Sequence, residues 1–345
     1  MVLSLLVENR ETVKILYLPN EYSQQRQFEK KRKIYPVLMA MEAEWYRKQG
    51  HEVYWDINKY NVNMKGWKWT AYDKIIQEPE GLPFLSLPHP DRIFTEAKDK
   101  IYQNNGNFKY HPGTYIQVAN GCWHGKCTFC VEQKNKWEVR EVDDVISEIE
   151  ECQRMGFKEV FDDSGTFPIG KYLDTFCDRL ANRIVFGCNM RMVDLDYKKL
   201  KEVGFRMLLF GLESANQKTL DKINKGTRTE DIKYLIKASK CGLEPHAAAM
   251  VGFPWEDYKD TMRTINLIKW LLIKGYAKTA QMSFYAPTKN QEQGNEEFRK
   301  YVNKFYEVGF DPRFWFRRII DIRSIEDFKY LVKGLKEGWR SLCLI

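Results

Sequence analysis

Between residues 114 and 285, six strand-like runs alternate with helical stretches, and that alternation limits the fold more than any other feature of the chain. The runs fall at 114–119, 159–162, 184–189, 206–210, 244–251 and 278–285. Strands separated by a helix must return across the sheet before pairing, so the pattern predicts parallel strands joined by crossovers. Either a partial barrel or an open sheet satisfies it. The clearest helix is 142–155, where Val142, Val145, Ile146, Ile149 and Cys152 repeat at helical spacing. Others are expected at 231–241, stopped by Gly242, and at 257–274. In such folds the working residues sit at the carboxyl ends of the strands.

The flanks read differently. Residues 13–19 form a strand pattern, followed by a helix at 36–49 closed by Gly50 and a second strand at 51–55. This is one βαβ-like unit, with 72–77 as a third strand candidate. Four prolines between Pro79 and Pro90 mark an expected linker. The last fifty or so residues are amphipathic and helical in pattern. Within them Phe314-Trp315-Phe316-Arg317-Arg318 suits a docking seam for terminal helices, with base or peptide stacking as the competing use.

Composition decides a few points. Of 345 residues 43% are hydrophobic and 30% charged, as expected for a globular chain. A formal charge of +8 permits nucleic acid as a partner without requiring it. The run Lys30-Lys31-Arg32-Lys33 reads as a solvated helix face. No apolar stretch reaches the roughly 20 residues needed to cross a bilayer. Residues 1–7 lack a basic leader and run into Glu8 and Glu11, so no signal peptide is expected.

Three of the eight cysteines are packed into Gly121-Cys122-Trp123-His124-Gly125-Lys126-Cys127-Thr128-Phe129-Cys130, directly after the first barrel-type strand. Clustered thiolates repel and oxidise, so a C-x4-C-x2-C loop points to zinc or an iron–sulfur cluster. Three ligands leave a four-coordinate site one short. Cys152 is the nearest downstream fourth thiol, but its helical phase buries it. A zinc site completed by His124 is the other alternative. The remaining cysteines (Cys152, Cys177, Cys188, Cys241, Cys343) read as small hydrophobes, which points to a reducing cytosol.

The order of motifs goes further. The cysteine loop resembles the cluster loop of the radical S-adenosylmethionine (radical SAM) superfamily, with Phe129 where that family commonly carries an aromatic. Phe161-Asp162-Asp163-Ser164-Gly165-Thr166-Phe167 resembles the family's second-strand motif. Cys188-Asn189-Met190-Arg191 ends the third run, Phe210-Gly211-Leu212-Glu213-Ser214 the fourth, and Val251-Gly252-Phe253-Pro254-Trp255-Glu256-Asp257 the fifth. Leu220 to Gly226 and Thr227 is a typical continuation of the fourth. The resemblance covers about residues 113–286. The family's usual spacing is C-x3-C-x2-C, so this loop carries one residue more between Cys122 and Cys127.

The resemblance implies an α/β fold: a partial (β/α)6 TIM-type barrel at 111–290, a Rossmann-like module at 1–110 and a helical extension at 291–345. It implies an enzyme in which Cys122, Cys127 and Cys130 hold a [4Fe–4S] cluster whose fourth iron binds S-adenosylmethionine. By position Phe129 would pack near the adenine, and Asp163, Ser164 and Gly165 would serve the methionine amine. Arg191 suits the carboxylate, and Glu213 the ribose or amine. A structural ion pair between Arg191 and Glu213 is the competing reading of those two. A reductant such as flavodoxin or ferredoxin is the implied partner.

The first 110 residues weakly resemble the front of a cobalamin-binding domain, through Tyr35-Pro36-Val37-Leu38, Gly50-His51-Glu52-Val53 and Leu87-Pro88-His89-Pro90-Asp91-Arg92. No Asp-x-His-x-x-Gly motif accompanies them, and cobalamin stays an open cofactor. With it, methylation is the expected reaction. A metal-stabilised nucleic-acid-binding or electron-transfer protein is the alternative to the enzyme.

Overall fold

The structure, a computed structural model, describes residues 12–18, 35–56, 72–76, 78–103, 106–285, 294 and 296–342. The basic run at 30–33, residues 1–7 and Cys343 lie outside them. The chain divides into two compact units, Met1–Asn105 and Gly106–Ile345.

In the first unit, β1 (Lys14–Tyr17), α1 (Val37–Lys48), β2 (Glu52–Trp55) and β3 (Lys74–Ile76) give a parallel sheet in the order β2-β1-β3. Ile15, Tyr17, Met39, Ala43 and Ile76 form its core. The proline-rich segment expected as a linker is packed instead. Phe84 and Leu87 are buried, and the Glu42 carboxylate accepts backbone N–H groups of Glu80 and Gly81 at 2.9–3.1 Å. A short helix, α2 (Lys100–Gln103), closes the unit.

The second unit is built on β4 (Gly113–Ile116), β7 (Glu159–Asp162), β8 (Val185–Met190), β9 (Phe205–Glu213), β10 (Glu244–Val251) and β11 (Thr279–Phe284). They form one parallel sheet in the order β11-β10-β9-β8-β7-β4, so each new strand adds beside the last, as a partial (β/α)6 barrel requires. Between them lie α3 (Val142–Arg154), α4 (Lys171–Leu180), α5 (Tyr197–Glu202), α6 (Gln217–Lys222), α7 (Ile232–Lys240) and α8 (Tyr258–Lys274). The stripe Val145, Ile146, Ile149 and Cys152 of α3 is buried, and Asp143 and Asp144 in its first turn suit the helix dipole. In α8 the Asp257 side chain caps the N-terminus by accepting from Asp260 N at 2.8 Å. Phe167, Phe176, Phe186 and Phe205 interlock edge to face with centroids 5.0–6.1 Å apart, locking α4 onto β8 and β9.

Two boundaries differ from the sequence pattern. The first barrel strand stops at Ile116. Ala119 belongs to a separate two-residue strand, β5 (Ala119–Asn120), paired antiparallel with β6 (Glu138–Val139). A run of apolar residues continues past the point where the backbone leaves the sheet, so periodicity alone could not see the break. The fourth strand runs on to Glu213, placing that carboxylate at its last residue.

The C-terminal segment is helical, as α9 (Arg299–Tyr306), α10 (Pro312–Ile320) and α11 (Ile325–Leu342). In α10 Arg318 is buried and donates to Ala277 O at 3.0 Å, Phe314 and Trp315 are half-buried, and Phe316 points outward. Below the barrel, at the amino ends of its strands, Arg206 bonds Glu159 and Glu244, and Lys109 bonds Glu244 and Asp327 of α11. Among the described residues no helix is long and apolar enough to cross a membrane.

Candidate functional site

The β5–β6 pair closes the neck of a loop running from Gly121 to Trp137, and this loop presents the three cysteines at the carboxyl end of the first barrel strand. Gly121 adopts φ +73°, and a Cβ there would stand 2.8 Å from Asn135 O, so only glycine lets the two arms of the loop meet. Gly165, in the loop after β7, has the same role from below. A Cβ on it would lie 2.7 Å from Gly121 O and 3.4 Å from the Cys122 Cβ.

Cys127 is buried, and Cys122 and Cys130 are half-buried; all three are free thiols. Burial pushes the Cys130 thiol up, and Cys127 and Cys122 stand close enough to push it further against the Glu132 N–H. Burial also pushes Cys127 up, while Lys225 and Arg191 pull against it, with Arg191 in hydrogen-bonding reach of the sulfur. Among the described residues no group of three or more His, Cys, Asp or Glu side chains is arranged to hold a metal ion. What the loop offers is three neighbouring thiols, held by close backbone packing at Gly121 and Gly165, and a cationic flank beside Cys127. That donor set fits an iron–sulfur cluster with one corner left over. Of the rival fourth ligands, Cys152 is fully buried on α3, and His124 directs its Nε2 to Asn224 O at 3.0 Å.

The other candidates divide into two groups. Ser164 is committed to the scaffold: its hydroxyl donates to Asp162 Oδ1 at 2.6 Å and accepts the N–H groups of Val118 and Ala119. Its carbonyl takes the Asn189 amide at 2.8 Å. Its hydroxyl thus pins the strand end beneath the cysteine loop. Asp162, fully buried beside it, is pushed up to about 6 by burial. Asp163 is half-buried, its N–H spent on Ile116 O at 3.0 Å. Phe129 packs against Leu220, Ile223, Phe253 and Tyr285.

Arg191 and Glu213 come to the same place but do not pair directly. Arg191 donates its Nη2 to the Lys225 carbonyl, and Lys225 Nζ bonds Glu213 Oε1 at 2.7 Å, both side chains nearly buried. The ion pair weighed from sequence is replaced by this three-residue relay. Glu213 adopts φ +60°, a conformation that costs a non-glycine residue about 1 kcal/mol or more. Gly211 makes room for it, since a Cβ there would meet the Glu213 carboxylate and lie 2.8 Å from Lys225 Nζ. Lys225, which also lies 5.9 Å from the Phe129 ring centroid, is the residue that sequence reasoning missed. Its signal was its place beside Gly226 in the continuation after the fourth motif. Near the amino ends of β10 and β11, away from the cysteine loop, His246 Nδ1 meets Thr279 Oγ1 at 2.8 Å, a hydrogen-bonded strand residue.

Residues 116–268 match the Radical SAM superfamily. The chain is 23% identical over 217 residues to the ribosomal protein uS12 methylthiotransferase RimO of Caldanaerobacter subterraneus subsp. tengcongensis, covering 57% of this chain and 48% of that protein. It is 29% identical over 197 residues to the anaerobic magnesium-protoporphyrin IX monomethyl ester cyclase of Rubrivivax gelatinosus, covering 50% and 35%. The chain thus spans less than half the length of these curated relatives. A solved structure of the cobalamin-dependent S-adenosylmethionine radical enzyme OxsB with aqua-cobalamin bound aligns over 87% of this chain and 43% of that one, with 14% identity and a TM-score of 0.46.

Proposed function

Because residues 116–268 form a radical SAM domain, we propose that the chain is a radical SAM enzyme whose loop thiols Cys122, Cys127 and Cys130 hold three irons of a [4Fe–4S] cluster. The observation that carries this reading is the relay of Arg191, Lys225 and Glu213 set beside Cys127, which neighbours Cys130 in the same loop. When bound, cluster and S-adenosylmethionine supply one-electron cleavage of the sulfonium to methionine and a 5′-deoxyadenosyl radical that modifies a substrate.

The chain's residues bind and orient. Arg191 would take the methionine carboxylate, where a guanidinium gives paired, charge-assisted bonds. Glu213, held at the strand end by Lys225, offers its second oxygen to the ribose or amine. Asp163 and the Gly165 backbone line the amine side, and Phe129 presents an apolar face for adenine. Burial of Cys127 and of the relay limits water there and raises the worth of each polar contact. Electrons come from a small reductant such as flavodoxin or ferredoxin, in a reducing cytoplasm that keeps the thiols free.

Anaerobic reconstitution with iron and sulfide tests the reading. The protein should gain iron–sulfur charge-transfer absorption and, with dithionite, release methionine and 5′-deoxyadenosine from S-adenosylmethionine. Cys127→Ala should lose both, and Cys152→Ala neither. Bound corrinoid alongside methyl transfer would place the reaction among methylations, whereas 5′-deoxyadenosine alone would place it among hydrogen abstractions. Zinc in place of iron, or intact S-adenosylmethionine after reduction, would return the chain to the metal-stabilised binding or electron-transfer class.

A further inference from the structure

The segment between Cys122 and Cys127, one residue longer than the family's usual spacing, holds the cationic side of the site through a closed ring of contacts. The Trp123 ring lies under Arg191, with the guanidinium carbon 5.3 Å from its centroid. Arg191 reaches on to the Lys225 carbonyl. The adjoining carbonyl, of Asn224, takes His124 Nε2 at 3.0 Å. The Trp123 and His124 rings meet edge to face at 6.3 Å, which closes the circuit. Gly226 completes it: its φ is +64°, and a Cβ there would stand 2.7 Å from His124 Cε1. From the far end of the cysteine loop, Thr128 N bonds Ile223 O at 3.0 Å. The turn at 223–226 is thus clamped at both ends by the loop that carries the thiols.

We propose that Trp123 and His124 are positioning residues: they hold Arg191 and the 223–226 turn as one preorganised cationic wall and so set the affinity for the carboxylate of the sulfonium ligand. This inference rests on reading the site as an S-adenosylmethionine site. Its physical basis is entropy and repulsion. An unbraced arginine has many rotamers to lose on binding, and it sits beside a lysine of like charge. A ring face beneath the guanidinium and a fixed carbonyl at its tip remove those costs before the ligand arrives. Each brace is a single cation–π contact or hydrogen bond, and removing one should weaken binding roughly 5- to 10-fold.

The test uses the anaerobically reconstituted full chain and equilibrium dialysis, with no turnover. Trp123→Leu and His124→Ala should keep the parent's iron and sulfide content and bind S-adenosylmethionine roughly 5- to 10-fold more weakly. Trp123→Phe keeps a ring face and His124→Gln keeps a donor, and each should recover most of the affinity. Decarboxylated S-adenosylmethionine is the discriminating probe. It lacks the group that the wall would grip, so its affinity should be the same in parent and variants. Unchanged S-adenosylmethionine affinity overturns the proposal, as does equal weakening of both ligands or loss of the cluster in all four variants. If the parent itself binds no S-adenosylmethionine, the reading of the site fails and this inference falls with it. Failure with a parent that binds is failure of the inference alone.

Discussion

Replacing Arg206 by leucine removes a buried cation that three acceptors share. Arg206 is 3% exposed, at the amino end of β9. It donates to Glu159 Oε1 and to Glu244 Oε2, each at 2.6 Å, and to the Asn107 carbonyl. Glu159 is fully buried and keeps the N–H groups of Lys109 and Tyr110 at 2.8 and 2.9 Å. Glu244 keeps Lys109 Nζ at 2.8 Å. Breaking a buried pair from one side costs about 3–5 kcal/mol, because a charge is left without its partner. Two things hold the cost toward the lower bound here. Burial already raises Glu159, so it can protonate in the variant, and Lys109 still serves Glu244. The expected loss is about 3 kcal/mol, which in a unit of this size lowers the melting midpoint by about 6–12 °C. Urea unfolding at neutral pH should show a lower midpoint with an unchanged slope. Arg206→Lys should recover only part, since one ammonium cannot span three acceptors in a guanidinium's plane. The network lies at the amino ends of the strands, away from the cysteine loop, so cluster content should not change. A loss below about 1 kcal/mol would refute the reasoning and mark the network as already compensated by water or protonation.

Two further outcomes follow from the same geometry. Burial pushes Asp327 and Glu244 up, but Arg206 and Lys109 prevail at Glu244, and Lys109, the Arg323 N–H and Ser324 prevail at Asp327, holding both at about 2. A folded pKa below the unfolded value near 4 adds stability that is complete above the unfolded pKa and lost as pH falls from about 5 toward 2. The thermal midpoint should drop over that window, and Lys109→Met should flatten the drop; a parent curve already flat there would contradict the assignment. At the site, Gly165→Val should cost about 1–3 kcal/mol of overpacking, because its Cβ meets the Gly121 backbone rather than a side chain that can swing away. Iron and sulfide content after reconstitution should fall with it, and full retention would show that the two loops need not touch.

The barrel was legible because hydrophobic periodicity is a local property. Helical spacing through Val145, Ile149 and Cys152, and strand runs between stop signals, are imposed by which face each element buries. The break after Ile116 was not legible, since Ala119 is as apolar inside the barrel strand as in the small hairpin that replaces it. The thiol loop was legible because three cysteines at close spacing have few other uses. The bonds of Ser164 were not legible for the opposite reason: a hydroxyl serves a ligand or a backbone equally well, and only the fold brings Val118, Ala119 and Asp162 to it.

The order of strands, the cysteine loop and the strand-end motifs were set by the sequence itself, because each depends on residues close together in the chain. The partner of each charge was decided only by tertiary structure. Lys225 stands between Arg191 and Glu213, Trp123 under Arg191, and His124 on Asn224, across separations of up to a hundred residues. Coulomb and hydrogen-bond energies depend on distance in space, and the chain's order carries that distance only after the barrel has closed its strand ends together.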